Sequence, residues 1–444
     1  MNLQLNIPLD IFTYPDVPLP EVWTVEQKFD TPALTLEQIE AQVRRAVETL
    51  AQDGRLKPGA RVAVGSGSRG VDNIIPVIRT VIAELKARGM TPFLVPAMGS
   101  HGGATAEGQK SLLLDYGLTP EAVRAEIEAT MEVDAMGTLE GDEAGPFGGH
   151  AVFFDRIAHA ADAVLVVNRI KAHTDFSGPI ESGIGKMCAI GLGKRQGAEG
   201  IHRHGAFGLR ELMPRVARYL TAHTNIVGGI ALIENELGHT AEVHAVPAKE
   251  VAREPEQALL QCARAIAPHL PFAELDVLII DEMGKNISGA GMDTHVIGRG
   301  TMPSIPEAEW GGPNVRLIAV LDLTAPSHGN ATALGLADLT TRKLMEKVKF
   351  EDMFINMRTS GEGGILRARM PLILSSGDDC VRTAFATCGR AEPAQVRFAR
   401  IRNTADTQYL EISAALLAEA RANPGLRVSP VSHPLDLCQS VRPV

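Results

Sequence analysis

The stretch DAVLVVNRI, residues 162–170, decides the reading of the fold. Its apolar run is unbroken from Ala163 to Val167, without the alternation of a strand that has one face in water. Such a run suits a parallel strand covered on both faces. The same unit recurs on either side. RVAVGSG (61–67) reads as a buried strand, VDNIIPVIRTVIAELKARG (71–89) as a helix in which Pro76 predicts a kink, and TPFLVPAM (91–98) as a strand. Helices are expected around 105–116 and at 119–129. Further along, LRELMPRVARYLTAH (209–223) predicts a helix and NIVGGIALIEN (225–235) a strand. Strands alternating with helices point to βαβ units and a parallel sheet.

A second series begins near Leu275. A strand and loop are expected at 275–285, a strand at 315–324 and a helix at 333–348; MPLILSSGDD (370–379) leads into VRTAFATC, and VRFARIRNT (396–404) into an amphipathic helix near 413–421. The expected fold class is therefore α/β: two α/β domains with mostly parallel sheets and an interdomain active-site cleft. The boundary falls where HLPF interrupts the pattern, giving domains 1–270 and 271–444, the latter with an irregular tail. The proline-rich leading segment, residues 1–33, predicts extended chain with an edge strand. LTLEQIEAQVRRAVETLAQ (34–52) predicts an amphipathic helix opened by a Thr35/Gln38 capping box.

Composition narrows the function. The 444 residues are 45% hydrophobic and 22% charged, as in an ordinary globular protein. Aromatic residues make up 4% and the formal net charge is -10, which disfavours nucleic-acid binding. No apolar run approaches the roughly 18 residues of a membrane span, and MNLQLNIPLDIF lacks the basic start of a secretory signal. The five cysteines form no C-x-x-C pair, so a cytoplasmic setting is expected.

In open α/β sheets ligands bind beyond the carboxyl ends of the strands. The polar residues expected there are Arg69, His101, His173 and Lys285. Three local patterns invite a nucleotide or metal reading. GSGSRG (65–70) has the glycine spacing of a dinucleotide turn, yet the next strand ends in Ala97-Met98-Gly99-Ser100-His101 rather than in an acidic residue. GLGK (191–194) lacks the first glycine and the hydroxyl residue of a phosphate loop, although its amides and Lys194 suit an anion. HRH (202–204) is either a metal pair or two surface histidines.

The strangest stretch is SGIGKMCAIGLGKRQGAEGIHRHG, residues 182–205, with seven glycines around Lys186 and His202. A Gly/Ser loop with Arg69, GSHGGAT with His101, IKAHTDFSG with His173, and Lys186 and His202 sixteen positions apart occur in that order. In this arrangement the chain resembles the lactate racemase family, most sharply from 61 to 205. The resemblance implies a covalently held nickel-pincer nucleotide (pyridinium-3,5-bisthiocarboxylic acid mononucleotide nickel). Lys186 would carry it and His202 would ligate nickel, with His204 the alternative ligand. Ser66, Ser68, Gly191, Gly193 and Lys194 would contact the cofactor. His101 and His173 would be the acid/base pair, and Arg69, Lys285 and Asn286 would bind substrate.

Three departures stand out. The interval from His173 to Lys186 is about three residues longer than in lactate racemase, Ser66-Gly67-Ser68 replaces an acidic pair, and GSHG replaces GTHR. They bear on the substrate more than on the cofactor. The implied activity is racemisation or epimerisation of a 2-hydroxy acid, sugar acids included, by hydride transfer. Cofactor-synthesis enzymes are the implied partners, with no nucleic acid and no membrane. Rival readings are a histidine-ligated divalent-metal hydrolase or lyase using His101, His173 and His202, an NAD(P)-dependent oxidoreductase using GSGSRG, and a sugar-acid or nucleotide binding protein without turnover.

Overall fold

A computed structural model describes residues 13–67, 70–302, 304–305, 310–358 and 362–441. The chain divides into two compact units, Thr31–Ala267 on one side and Met1–Asp30 with Pro268–Val444 on the other. The first strand, β1 (Glu21–Gln27), belongs to the second of these.

The Thr31–Ala267 unit holds β2 (Arg61–Ser66), β3 (Thr91–Pro96), β4 (Val133–Thr138), β5 (Ala151–Asp155), β6 (Ala163–Arg169), β7 (Ile226–Glu234) and β8 (Thr240–Pro247). Its main sheet runs β3-β2-β6-β7-β8. The first four are parallel and β8 returns antiparallel to β7. β6 is the expected buried strand, with Ala163 to Val167 fully buried. The helix Leu36–Leu50 starts with the expected capping box: Thr35 N–H donates to Gln38 Oε1 at 2.8 Å, and Gln38 N–H to Thr35 Oγ1 at 3.3 Å. Helix Ile74–Ala87 places Pro76 at its third position, within the first turn. A proline there displaces no intrahelical hydrogen bond, so the expected kink has no cause.

The 119–129 segment is not one helix. Only Pro120–Val123 is helical, and Arg124 ends it in the left-handed region. The chain then pairs with the outer edge of β3: Leu94 N–H donates to Glu126 O at 2.8 Å, and Glu128 N–H to Leu94 O at 2.9 Å. Satisfying an edge strand outweighs helix propensity here. The antiparallel hairpin of β4 and β5 stands apart from the main sheet.

The second unit holds β9 (Glu274–Ile280), β10 (Asn314–Val320), β11 (Leu339–Thr341), β12 (Leu372–Leu374), β13 (Phe398–Asn403), β14 (Asp406–Ile412), β15 (Leu426–Val428) and β16 (His433–Pro434). The order is β12-β11-β10-β9-β13-β14-β1-β15, with β16 also on β1. The half from β12 to β13 is parallel and the rest antiparallel. Two expectations change. β1 lies between β14 and β15 rather than at an edge, and Val25 joins the core of this unit, so the leading segment departs from the 1–270 division. The tail supplies β16 instead of being wholly irregular. Among the described residues no helix is long and apolar enough to cross a membrane.

Candidate functional site

Because β2, β3, β6 and β7 are parallel, the loops leaving Ser66, Pro96, Arg169 and Glu234 emerge at one edge of the sheet. The loop with His101 follows β3, and the loop with His173 follows β6. β2 separates these strands, so the two loops start two strand spacings apart, about 10 Å. Ser66 is buried at the end of β2, where its carbonyl accepts Ala97 N–H at 2.7 Å. Ser68 and Arg69 lie outside the described residues.

Lys186 closes a single helical turn, Ile184–Lys186, and is half-buried. A widened π turn, Met187–Gly191, follows. Such turns recur at functional sites because they shift side chains relative to a regular helix. Helix Lys194–His202 then begins at Lys194, whose φ of 51° puts a non-glycine residue in the left-handed region. This break turns the helix back across the π turn. A Cβ on Gly197 would lie 3.3 Å from Ala189 O, and one on Gly99 would touch both Ile190 and Ala198. Lys186 is four residues before Ile190, and His202 four residues after Ala198. Each thus sits roughly one helical turn, about 5.4 Å, from the crossing. His202 lies on the same helix face as Ala198. It is exposed.

The loop after β3 is fastened to this crossing. Gly99 N–H donates to Gly191 O at 3.0 Å. Buried Gln109 donates to Gly99 O at 2.8 Å and His101 O at 3.3 Å. Met187 Sδ and Asn168 Oδ1 crowd Gly67, at 3.3 and 3.0 Å from a Cβ placed there.

His173 is held by its backbone and its ring. Its N–H donates to Glu181 Oε2 at 2.6 Å, and Asp175 N–H donates to Nδ1 at 3.0 Å. With Nδ1 accepting, a neutral ring carries its hydrogen on Nε2. His204 goes elsewhere. Its ring packs edge-on against Phe147 at 5.4 Å and lies 6.1 Å from His150. Burial above all, then the nearby His204 and Arg203, pushes the His150 imidazole down.

Several expected cofactor contacts serve packing instead. Lys194 is completely buried: its ammonium donates to Pro96 O at 2.6 Å and Gln109 Oε1 at 3.1 Å and pairs with Asp155 Oδ2 at 2.9 Å. Its hydrogen bonds and its charge partner all lie inside the protein, so its burial turns it away from a phosphate. A Cβ on Gly191 would come 2.7 Å from Ala97 O, so this glycine admits the β3 loop. Gly193, also buried, similarly meets Ala189 O. Lys285 and Asn286 belong to the other unit, beyond β9. There Lys285 Nζ donates to Gly289 O at 2.7 Å, and Asn286 Oδ1 accepts from Thr324 Oγ1 at 2.6 Å. Among the described residues no three His, Cys, Asp or Glu side chains converge to hold a metal ion. Cys188, two residues after Lys186, is fully buried, and burial pushes its thiol up.

Sequence reasoning misses Glu181, Glu256, Gln109 and Asp155. Each is a single polar residue without motif spacing, and only Glu181 stands out as a lone acid among small and apolar neighbours.

No family model matches the chain, and no curated protein does. Two solved structures are similar. A Thermotoga maritima protein, known from its crystal structure, superposes with a TM-score of 0.50 at 12% identity, over 86% of this chain and 99% of that one. The lactate racemase apoprotein from Thermoanaerobacterium thermosaccharolyticum gives a TM-score of 0.46 at 12% identity, over 84% of this chain and 82% of that one. At such identity the first likeness is one of fold.

Proposed function

We propose that this chain is a racemase or epimerase of a 2-hydroxy acid, sugar acids included, acting in the cytoplasm with a nickel-pincer nucleotide that enzymes of cofactor synthesis supply. The observation that carries the reading is the crossing at Ile190 and Ala198, which sets Lys186 and His202 one turn away on two arms. A group bonded at one end to an amine and ligated through its metal by an imidazole needs that presentation. Neutral imidazole is a good nickel ligand. The fit concerns these two anchors; Gly191, Gly193 and Lys194 are committed to packing and are not part of it.

When bound, the group supplies reversible uptake of hydride from the substrate carbon. The chain's residues handle binding and the proton. His101 and His173 lie in the loops that follow the strands on either side of β2, and those loops start about 10 Å apart. With Nδ1 occupied by Asp175 N–H, His173 donates a hydrogen bond from Nε2 to the substrate oxygen. His101 is then the ring that takes the hydroxyl proton. An imidazole with its ordinary pKa of about 6.5 exchanges protons near neutrality, and such acid/base assistance is worth roughly 10²- to 10⁴-fold. Arg69 is assigned the carboxylate by its place in the sequence. A bidentate contact of that kind contributes about 1.5–3 kcal/mol.

Intact-mass and metal analysis of protein produced together with cofactor-synthesis enzymes tests this. Wild type should carry a nickel-containing adduct, Lys186→Ala none, and His202→Ala the organic adduct with nickel lost, whereas His204→Ala should keep both. Wild type of unmodified mass after such co-production would remove the assignment. In deuterated water the loaded enzyme should invert its substrate with little deuterium at the substrate carbon.

A further inference from the structure

The helix Glu254–Ala265 carries none of the residues assigned above, yet both of its ends reach them. Near its start, Glu256 is 2% exposed. Its Oε1 accepts Gly185 N–H at 2.9 Å and its Oε2 accepts Ala252 N–H at 2.7 Å; the Ile184 amide also bonds to it. Burial pushes this carboxyl up, against the pull of the three amides. The carboxylate therefore sits beneath the turn that ends in Lys186, bound to the two residues immediately before it. Gly185 makes the approach feasible: a Cβ there would lie 2.6 Å from Ile180 Cδ1 and 3.2 Å from Glu256 Oε2.

Eight residues on, about 12 Å along the helix, Arg264 donates to Ser177 Oγ at 3.0 Å and pairs with Glu181 Oε1. The Glu181 side chain has no exposure, and it accepts the amides of His173 at 2.6 Å and Gly178 at 2.8 Å. The loop between is pinched shut where Lys171 and Ser182 exchange backbone hydrogen bonds of 3.0 and 3.2 Å. A buried carboxylate that binds two amides and one guanidinium fixes this loop from inside.

We propose that helix Glu254–Ala265 is the positioning element of the site: Glu256 sets the turn presenting Lys186, and Arg264, acting through Glu181, sets the loop presenting His173. This rests on the reading of Lys186 and His173 given above. Glu256 and Arg264 are positioning residues, since each acts on a site residue through its backbone. One helix with charged residues eight apart thereby spaces the covalent anchor against one acid/base group.

The test uses the full chain, first without cofactor. Amide hydrogen exchange read by mass spectrometry should rise about tenfold or more at 184–187 in Glu256→Ala, with 173–178 unchanged. Arg264→Met should show the reverse, and Arg264→Lys should restore part of the protection at 173–178. If Glu256→Ala does not fold, Glu256→Gln keeps one acceptor and should raise exchange at 184–187 by a smaller factor. Exchange that rises at both segments in every variant, or at neither, overturns the proposal.

The second readout uses protein co-produced with cofactor-synthesis enzymes. Glu256→Ala should lose most of the Lys186 adduct. Arg264→Met should keep it at wild-type stoichiometry, with lowered kcat and a displaced pH profile of kcat/KM. Equal adduct in Glu256→Ala and wild type overturns the proposal. Absence of adduct from wild type itself overturns the functional reading, and the exchange pattern still decides the positioning claim.

Discussion

An ammonium group with no exposure must have its charge and all three hydrogens answered within the protein. Lys194 donates to Pro96 O and Gln109 Oε1, and Asp155 Oδ2 at 2.9 Å answers its charge. Burial pushes its pKa down and Asp155 pulls it back up. It is also the hinge residue, with φ at 51°, where the arm bearing His202 turns over the arm bearing Lys186. Its role follows: it locks the crossing to the carboxyl end of β3. Lys194→Met should therefore destabilise the protein without any cofactor, by about 3–5 kcal/mol, because it leaves Asp155 as an uncompensated buried charge. Adding Asp155→Asn should recover part of the loss. Urea unfolding of the four proteins checks this, and a Lys194→Met protein as stable as wild type would reject it. The sequence shows a lysine after Gly-x-Gly and suggests an anion. It cannot show Asp155, 39 positions earlier, whose carboxylate occupies that lysine. His101, His173, Lys186 and His202 are named through the resemblance to a known family, which rests on short motifs and their order along the chain. Glu181 and Glu256 act through backbone amides, and amides leave no trace in residue identity.

At the scale of elements, period is legible and competition between partners is not. The strands around 61, 91, 162 and 225 are continuous apolar runs, and each lies where the run places it. The 333–348 segment has helical spacing, yet the structure breaks it into a 3-10 turn at Leu334–Leu336, strand β11 and a short helix, Arg342–Lys347. β11 extends the parallel sheet beside β10, and its two threonines secure it there. Thr340 Oγ1 donates to Val320 O at 2.8 Å and Thr341 Oγ1 to Leu321 O at 2.6 Å. Thr341 also caps the following helix by accepting Leu344 N–H at 3.1 Å. β-branched residues suit a pleated surface, and sheet pairing wins over an amphipathic stripe. β14 occupies the stretch between VRFARIRNT (396–404) and the helix expected near 413–421, where a tight hairpin, Asn403 opposite Asp406, returns the chain. Thr341→Ala loses a cap and a buried hydroxyl bond together, and should cost about 1–3 kcal/mol. Thr341→Ser keeps both groups and should lose less than half as much. The midpoints of thermal or urea unfolding discriminate these, and equal losses for Ala and Ser would mean that the methyl group carries the effect.

At the scale of the molecule, the chain makes two cores and shares its first strand out against sequence order: β1 closes the antiparallel half of the Pro268–Val444 unit. That half is fastened by one buried cation. Arg400, 1% exposed, holds Asp281 through bonds of 2.7 and 3.0 Å and Glu411 through one of 2.9 Å. It also donates to the carbonyls of Asp436 at 3.0 Å and Gln439 at 2.7 Å, which pins the terminal segment. Two carboxylates thus share one guanidinium. Burial raises Asp281 to about 6; Glu411 and Glu282 add to the rise, while Arg400 opposes it. The sign of the pH dependence follows. Asp281 keeps its proton to higher pH in the folded chain than in the unfolded one, so the folded state binds more protons between about pH 4 and pH 6. Raising pH through that window removes stability, and above about pH 6 nothing further is lost from this group. Asp281→Asn resembles the protonated form at every pH. The stability of wild type relative to Asp281→Asn should therefore fall by about 2–3 kcal/mol between pH 4 and pH 6.5 and then level off. Urea unfolding of both proteins across that range measures the difference directly, with the other titrating groups cancelling. A difference that stays flat, or that grows with pH, would mean that pairing with Arg400 overrides burial and that Asp281 is ionised throughout the range.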